Sequence, residues 1–261
     1  YNILNAMDEA VQGCTLTDDF GEIIDISDKS RLSLSIGCSS YPDEASDFNM
    51  LVNYSEFALY EAKNGRRGVI NWFSEENYNR DKDAYRNAQL FSRIVQENLL
   101  TYHLQPIVET HTGEIVGYEA LMRTTGDIKM SPSQILKIAA SQNDLYSIEK
   151  LTFFNTLKLL SDNQQILENR KLFINCLPTN LLTDEDFNEL YLNYGELLEK
   201  AVIEIVEESN ATPEGIELLQ RRCGFAHSQL AIDDYGTGYS NSSNLLNYAP
   251  DCIKIDRSLI S

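Results

Sequence analysis

From Tyr102 to Ile255 the chain alternates two kinds of segment, and that alternation limits its fold more than any other feature. Apolar runs with β character stand at 102–108, 115–121, 172–175, 201–205, 229–232 and 252–255. Helical stretches such as 133–140 and 148–160 lie between them. Strand and helix in alternation predict an α/β fold with a mainly parallel sheet. In a parallel barrel the carboxyl ends of the strands converge on one face, where chemistry is done. Several of these runs end in a polar residue: Glu119, Asn175, Glu204, Asp233 and Lys254.

Each polar position also has an ordinary reading. Glu119 and Arg123 in Gly117–Arg123 fit a solvated strand end, and Asn175 fits a cap on the following turn. Glu204 lies inside an apolar run and, by alternation, faces away from Ile203 and Ile205; a carboxylate there needs a cation or a hydrogen-bond partner. Glu207 and Glu208 fit first-turn helix acids. Asp233-Asp234 followed by Gly236-Thr-Gly238 is the strongest local signal, because adjacent carboxylates repel unless a cation compensates. Lys254 and Asp256 share one strand face, where an ion pair is the plain alternative. Taken together, Glu119, Asn175, Glu204 and Asp233 offer four oxygen-bearing side chains of the kind that hold Mg²⁺ or Mn²⁺. Asp234 can serve a second ion, and a two-ion site suits in-line displacement at a phosphodiester. Lys254 can hold a water or stabilise a charged transition state.

The segment to residue 73 reads as a smaller α/β unit. Helical spacing marks 2–14 and 48–62, and strand character marks 32–36 and 69–73. Residues 74–86 are polar and lack apolar periodicity at first, so a linker that becomes a helix is expected there. A net charge of −19 argues against binding a nucleic-acid polymer or anionic lipid by bulk charge. The five scattered cysteines form no CxxC pair and the three histidines form no zinc set, which suggests reduced thiols in a cytoplasmic protein. No run is long enough to span a membrane, and no signal peptide is recognisable.

Gln105–Val108 (QPIV), Gly117–Arg123 (GYEALMR), Asn175, Glu204–Ser209 (EIVEES), Ile232–Ser240 (IDDYGTGYS) and Lys254–Ser258 (KIDRS) resemble, in order, the motifs of EAL-domain phosphodiesterases. The resemblance covers 86–261 and implies a (β/α)8 TIM-like barrel that hydrolyses cyclic di-GMP to linear pGpG with Mg²⁺ or Mn²⁺. It implies Glu119, Asn175, Glu204 and Asp233 as ligands of one ion and Asp234 as a ligand of a second. It further implies Lys254 as the water-handling lysine, Glu207 as the acid supporting the loop after Asp234, and Gln105, Leu121 and Arg123 as substrate contacts. Arg123 suits this because a guanidinium can fork onto a phosphate.

Residues 1–73, through Ser35–Phe73, resemble the C-terminal part of a GGDEF (diguanylate cyclase) domain, with 74–85 as linker. No signature loop of that domain is present, so no cyclase activity is expected. Residues 86–261 fall short of the roughly 200 residues at the lower end for such barrels, and the family's later glutamates have no counterpart. The barrel is therefore expected to be incomplete here, with weak or no turnover from this chain alone. Tyr235 stands where the family commonly has Phe, and Cys176-Leu177 where Ser often occurs. A homodimer through the barrel is a further expectation. The alternative function is a catalytically silent cyclic di-GMP receptor.

Overall fold

The computed structural model describes residues 16–17, 23–24, 34–206, 211–236 and 248–259. The chain divides into two units, Tyr1–Asn87 and Ala88–Ser261. The helix expected at 2–14 lies outside the described residues.

In the first unit two short strands, β1 (Leu16–Thr17) and β2 (Ile23–Ile24), pair antiparallel. Strand β3 (Ile36–Cys38) pairs parallel with β4 (Ile70–Trp72), and helix α1 (Phe48–Asn64) connects them. Asp47 caps α1 by accepting the Met50 N–H at 2.9 Å. Gly37 is required on β3, because a Cβ there would collide with the α1 backbone at Ser55 and Leu59. The strand expected at 32–36 begins only at Ile36 within the described residues, since the part that pairs with β4 is Ile36–Cys38.

The largest departure from the sequence reading is at 74–86, where the polar stretch is helical from its start. Helix α2 runs Glu75–Gln96 without a break. Ser74 starts it, with its carbonyl accepting from Tyr78 and its hydroxyl from Asn77. Tyr78 and Tyr85 stand seven residues apart and therefore share one face. Both pack edge-on against Phe57 of α1, and Tyr78 also contacts Phe73. Two tyrosines among charged residues carry this amphipathic face, so apolar periodicity alone misses it. From Phe91 onward the buried residues of α2 belong to the core of the second unit.

The second unit is built on a six-stranded sheet in the order β10-β9-β8-β7-β6-β5. Its strands are β5 (Leu100–Val108), β6 (Ile115–Thr124), β7 (Lys171–Asn175), β8 (Ala201–Val206), β9 (Gln229–Tyr235) and β10 (Cys252–Ile255). All neighbours are parallel except the β5–β6 hairpin. Helices α3 (Pro132–Ser141), α4 (Leu145–Ser161), α5 (Asp184–Leu198) and α6 (Pro213–Ala226) supply the connections from β6 through β9, as in a TIM-like barrel. Ser131 and Gln134 form a reciprocal capping box at the start of α3, with Pro132 in its first turn.

Strand alternation sorts the side chains. Ala120, Leu172, Ile174, Ile203, Ile205, Leu230 and Ile232 are buried in one core with Ile135, Ile148, Leu157, Leu160, Leu190 and Leu219 of the helices. Burial of each large aliphatic side chain contributes about 1.5–3 kcal/mol. The intervening positions, Glu119, Asn175, Glu204 and Asp233, fall on the opposite face of the sheet. The core thus fixes the strand registers, and the registers fix the site.

Candidate metal centre

Three carboxylates from three different strands meet on that opposite face. Glu119, Glu204 and Asp233 each present an oxygen, and these atoms all lie within 4.8 Å of one another. Glu119 is in mid-strand rather than at a strand end, since β6 continues to Thr124. Glu204 lies near the carboxyl end of β8, and Asp233 near that of β9. Asn175 ends β7 directly beside Glu204 in the ladder.

Lys254 sits among the three acids. Its Nζ is 3.1 Å from Glu119 Oε2, 3.0 Å from Asp233 Oδ2 and 2.8 Å from Glu204 Oε1. The β9–β10 register shifts between Ile253 and Ile255, and such an irregularity re-aims the side chain it carries. The alternative Lys254–Asp256 pair is not formed: Asp256 lies beyond β10 and accepts the Ser258 N–H at 2.8 Å.

Glu204 is the most demanding member. It is 1% exposed. Its Oε1 is near the ammonium but outside hydrogen-bond geometry, and its Oε2 has no hydrogen-bond partner. Burial raises its carboxyl to about 7, against the downward pull of Lys254. Burial opposes the charge on Lys254 too, yet its contacts with Glu204 and Asp233 outweigh this and raise its pKa above the ordinary lysine value. A buried carboxylate with an unpartnered oxygen, grouped with two others, fits a hard divalent cation. The Lys254 ammonium balances only part of their charge.

Asp234 follows Asp233 at the strand end with φ of 54°, in the left-handed region. Its N–H donates to Asp233 Oδ1 at 2.9 Å, so the turn orients the Asp233 carboxylate. Asp234 is exposed and lies outside the cluster of three. Burial of its carboxyl and the Asp233 charge raise its pKa. Glu207 lies outside the described residues.

The expected substrate contacts share one face of the hairpin. Gln105 pairs directly with Glu119, His103 with Leu121 and Thr101 with Arg123. Glu119, Leu121 and Arg123 follow at intervals of two and so line one face. The Arg123 Nη1 donates to the Met122 carbonyl at 2.7 Å.

One buried acid behind the site was not singled out from sequence. Glu149 on α4 is 1% exposed, and its carboxyl oxygens accept from the Cys176 thiol at 3.1 Å and the Leu177 N–H at 2.9 Å. A charged residue in phase with the buried Thr152, Phe153, Thr156 and Leu160 was the available signal.

A mostly parallel α/β sheet carrying three grouped carboxylates on one face defines the class: an α/β domain consistent with a TIM-like barrel, with a candidate cation site. The EAL-domain family model matches residues 86–261, and the chain belongs to that family. It is 28% identical over 232 residues to an uncharacterized signaling protein of Caulobacter vibrioides, covering 87% of this chain and 28% of that protein. It is 25% identical over 244 residues to the cyclic di-GMP phosphodiesterase NbdA of Pseudomonas aeruginosa, covering 88% of this chain and 30% of the relative. The chain thus spans about 30% of the length of these curated relatives. Among solved structures it resembles BlrP1 of Klebsiella pneumoniae in a manganese and cyclic di-GMP complex, with a TM-score of 0.53 and 27% identity over 62% of this chain and 41% of that one. No described helix is long and apolar enough to cross a membrane.

Proposed function

We propose that residues 86–261 belong to a phosphodiesterase that hydrolyses cyclic di-GMP to linear pGpG with Mg²⁺ or Mn²⁺. The observation that carries this reading is the convergence of Glu119, Glu204 and Asp233 within 4.8 Å, with an unpartnered buried oxygen on Glu204. In this proposal those three and Asn175 hold one ion, and Asp234 contributes to a second. Bound divalent cations supply charge neutralisation at the phosphodiester and make a water acidic enough to attack at neutral pH.

The protein groups do the rest. Lys254, kept protonated by the surrounding carboxylates, donates from Nζ to the water or to a phosphate oxygen and does not act as a base. Arg123 forks onto a substrate phosphate, Gln105 and Leu121 complete the substrate-contacting face, and Glu207 supports the loop after Asp234. We place the protein in the cytoplasm and assign it a homodimer through the barrel. Residues 1–73 are proposed as the C-terminal part of a GGDEF domain without cyclase activity, joined by 74–85.

The test is conversion of cyclic di-GMP to linear product by this chain, and by a longer polypeptide that carries it, with Mg²⁺ or Mn²⁺. Product from the longer polypeptide that disappears in Glu119→Ala supports the proposal. No product above that control in either refutes it. Nucleotide binding without turnover and without dependence on the ion replaces it with the receptor reading.

A further inference from the structure

We infer that Glu149 is a positioning residue for Asn175, holding it at the candidate metal centre through the two residues that follow it. This rests on the reading of Asn175 as a ligand. Asn175 ends β7, and alternation puts its side chain on the site face and that of Cys176 in the helix-side core. On that core side both Glu149 oxygens are engaged, Oε1 by the Cys176 Sγ–H and Oε2 by the Leu177 N–H. The Cys176 N–H meanwhile donates to the Glu204 carbonyl at 2.9 Å. The backbone leaving Asn175 is thus tied sideways to the strand bearing Glu204 and backwards to α4.

A buried carboxyl is a costly residue for an apolar helix face, where leucine would pack without desolvation. Its function here is geometric, because the last bond to the neighbouring strand is that of the Cys176 N–H, and the next N–H, that of Leu177, is held by Glu149 instead. Without Glu149 the half-buried Leu177 N–H loses its acceptor, and the turn shifts to find another. A shift of the turn moves the side chain one residue before it. Partners behind a ligand act in this way in metal sites, and losing one weakens metal binding by about 10–100-fold.

The experiment follows the side-chain amide signals of ¹⁵N-labelled Asn175 in the metal-free chain and during titration with Mg²⁺ alone. Glu149→Ala is expected to displace or broaden the Asn175 signals while those of Asn71, in the first unit, stay fixed, and to raise the Mg²⁺ midpoint about tenfold. Glu149→Gln, which keeps an acceptor for the Leu177 N–H, is expected to recover most of both. Unchanged Asn175 signals with an unchanged midpoint in a folded Glu149→Ala protein overturn the inference. Where that variant does not fold, Glu149→Met decides, because it fills the same space but accepts from neither the Cys176 thiol nor the Leu177 N–H. Displaced Asn175 signals in it support the inference, and parent-like signals with a parent-like midpoint overturn it. A parent chain whose Asn175 does not respond to Mg²⁺ removes the ligand reading, and the metal-free signals still decide the positioning role.

Discussion

Glu149 makes stability depend on pH with a sign opposite to that of a paired surface acid. Burial raises its carboxyl from 4.5 to about 8, and the bonds from Cys176 and Leu177 only partly offset this. Between those values the folded chain holds a proton that the unfolded chain has released, so stability falls as pH rises. The contribution is most favourable below pH 4.5 and is progressively lost until pH passes the folded value near 8. With about 1.36 kcal/mol per pH unit, the loss attributable to Glu149 between about pH 5 and 7.5 is about 3 kcal/mol. Glu204 contributes in the same direction, so the parent alone does not isolate the effect. The comparison that does is parent against Glu149→Gln, whose amide does not titrate. Urea unfolding followed by far-ultraviolet circular dichroism, with chelator present, is expected to show the stability gap between the two drifting by about 3 kcal/mol in favour of the glutamine variant across that range. Parallel curves, with a constant gap, would refute the assignment of a raised, proton-retaining Glu149.

Replacing Lys254 by Met leaves three carboxylates facing one another, and the metal-free chain is expected to lose about 3 kcal/mol. Added Mn²⁺ should restore much of this, read as a larger ion-induced rise in melting temperature than in the parent. Arg222 is buried and donates to the Leu182 carbonyl and Asp184 at 2.6 Å each, stacked over Phe187. Arg222→Met should destabilise the second unit by about 1–3 kcal/mol through the unpaired carbonyl, while Asp184→Ala, at an exposed partner, should cost under about 1 kcal/mol by the same unfolding measurement. Gly37→Ala drives a methyl into the α1 backbone and should disrupt the first unit, seen as a shift in fluorescence of the single tryptophan, Trp72.

Local pattern was sufficient where one face is buried and the other is not. The runs 172–175, 201–205 and 252–255 become strands nearly as read, because period-two alternation and β-branched content leave little choice once a sheet forms. The same alternation correctly put Glu204 opposite Ile203 and Ile205. It could not reveal that 74–86 is helical from its first turn, because that helix is held by Tyr78 and Tyr85 docking on aromatic residues distant in sequence.

The amino-acid sequence by itself determined the α/β class, the identity of the polar residues near the strand ends and the sign of the charge they would gather. Tertiary structure alone decided which of them meet. Register across four strands brings Glu119, Glu204 and Asp233 together 85 and 29 residues apart in sequence, and the shift in β10 turns Lys254 into their midst rather than toward Asp256. Local propensity acts over a few residues, whereas burial, and with it the raised carboxyls of Glu149 and Glu204, is a property of the whole packed layer.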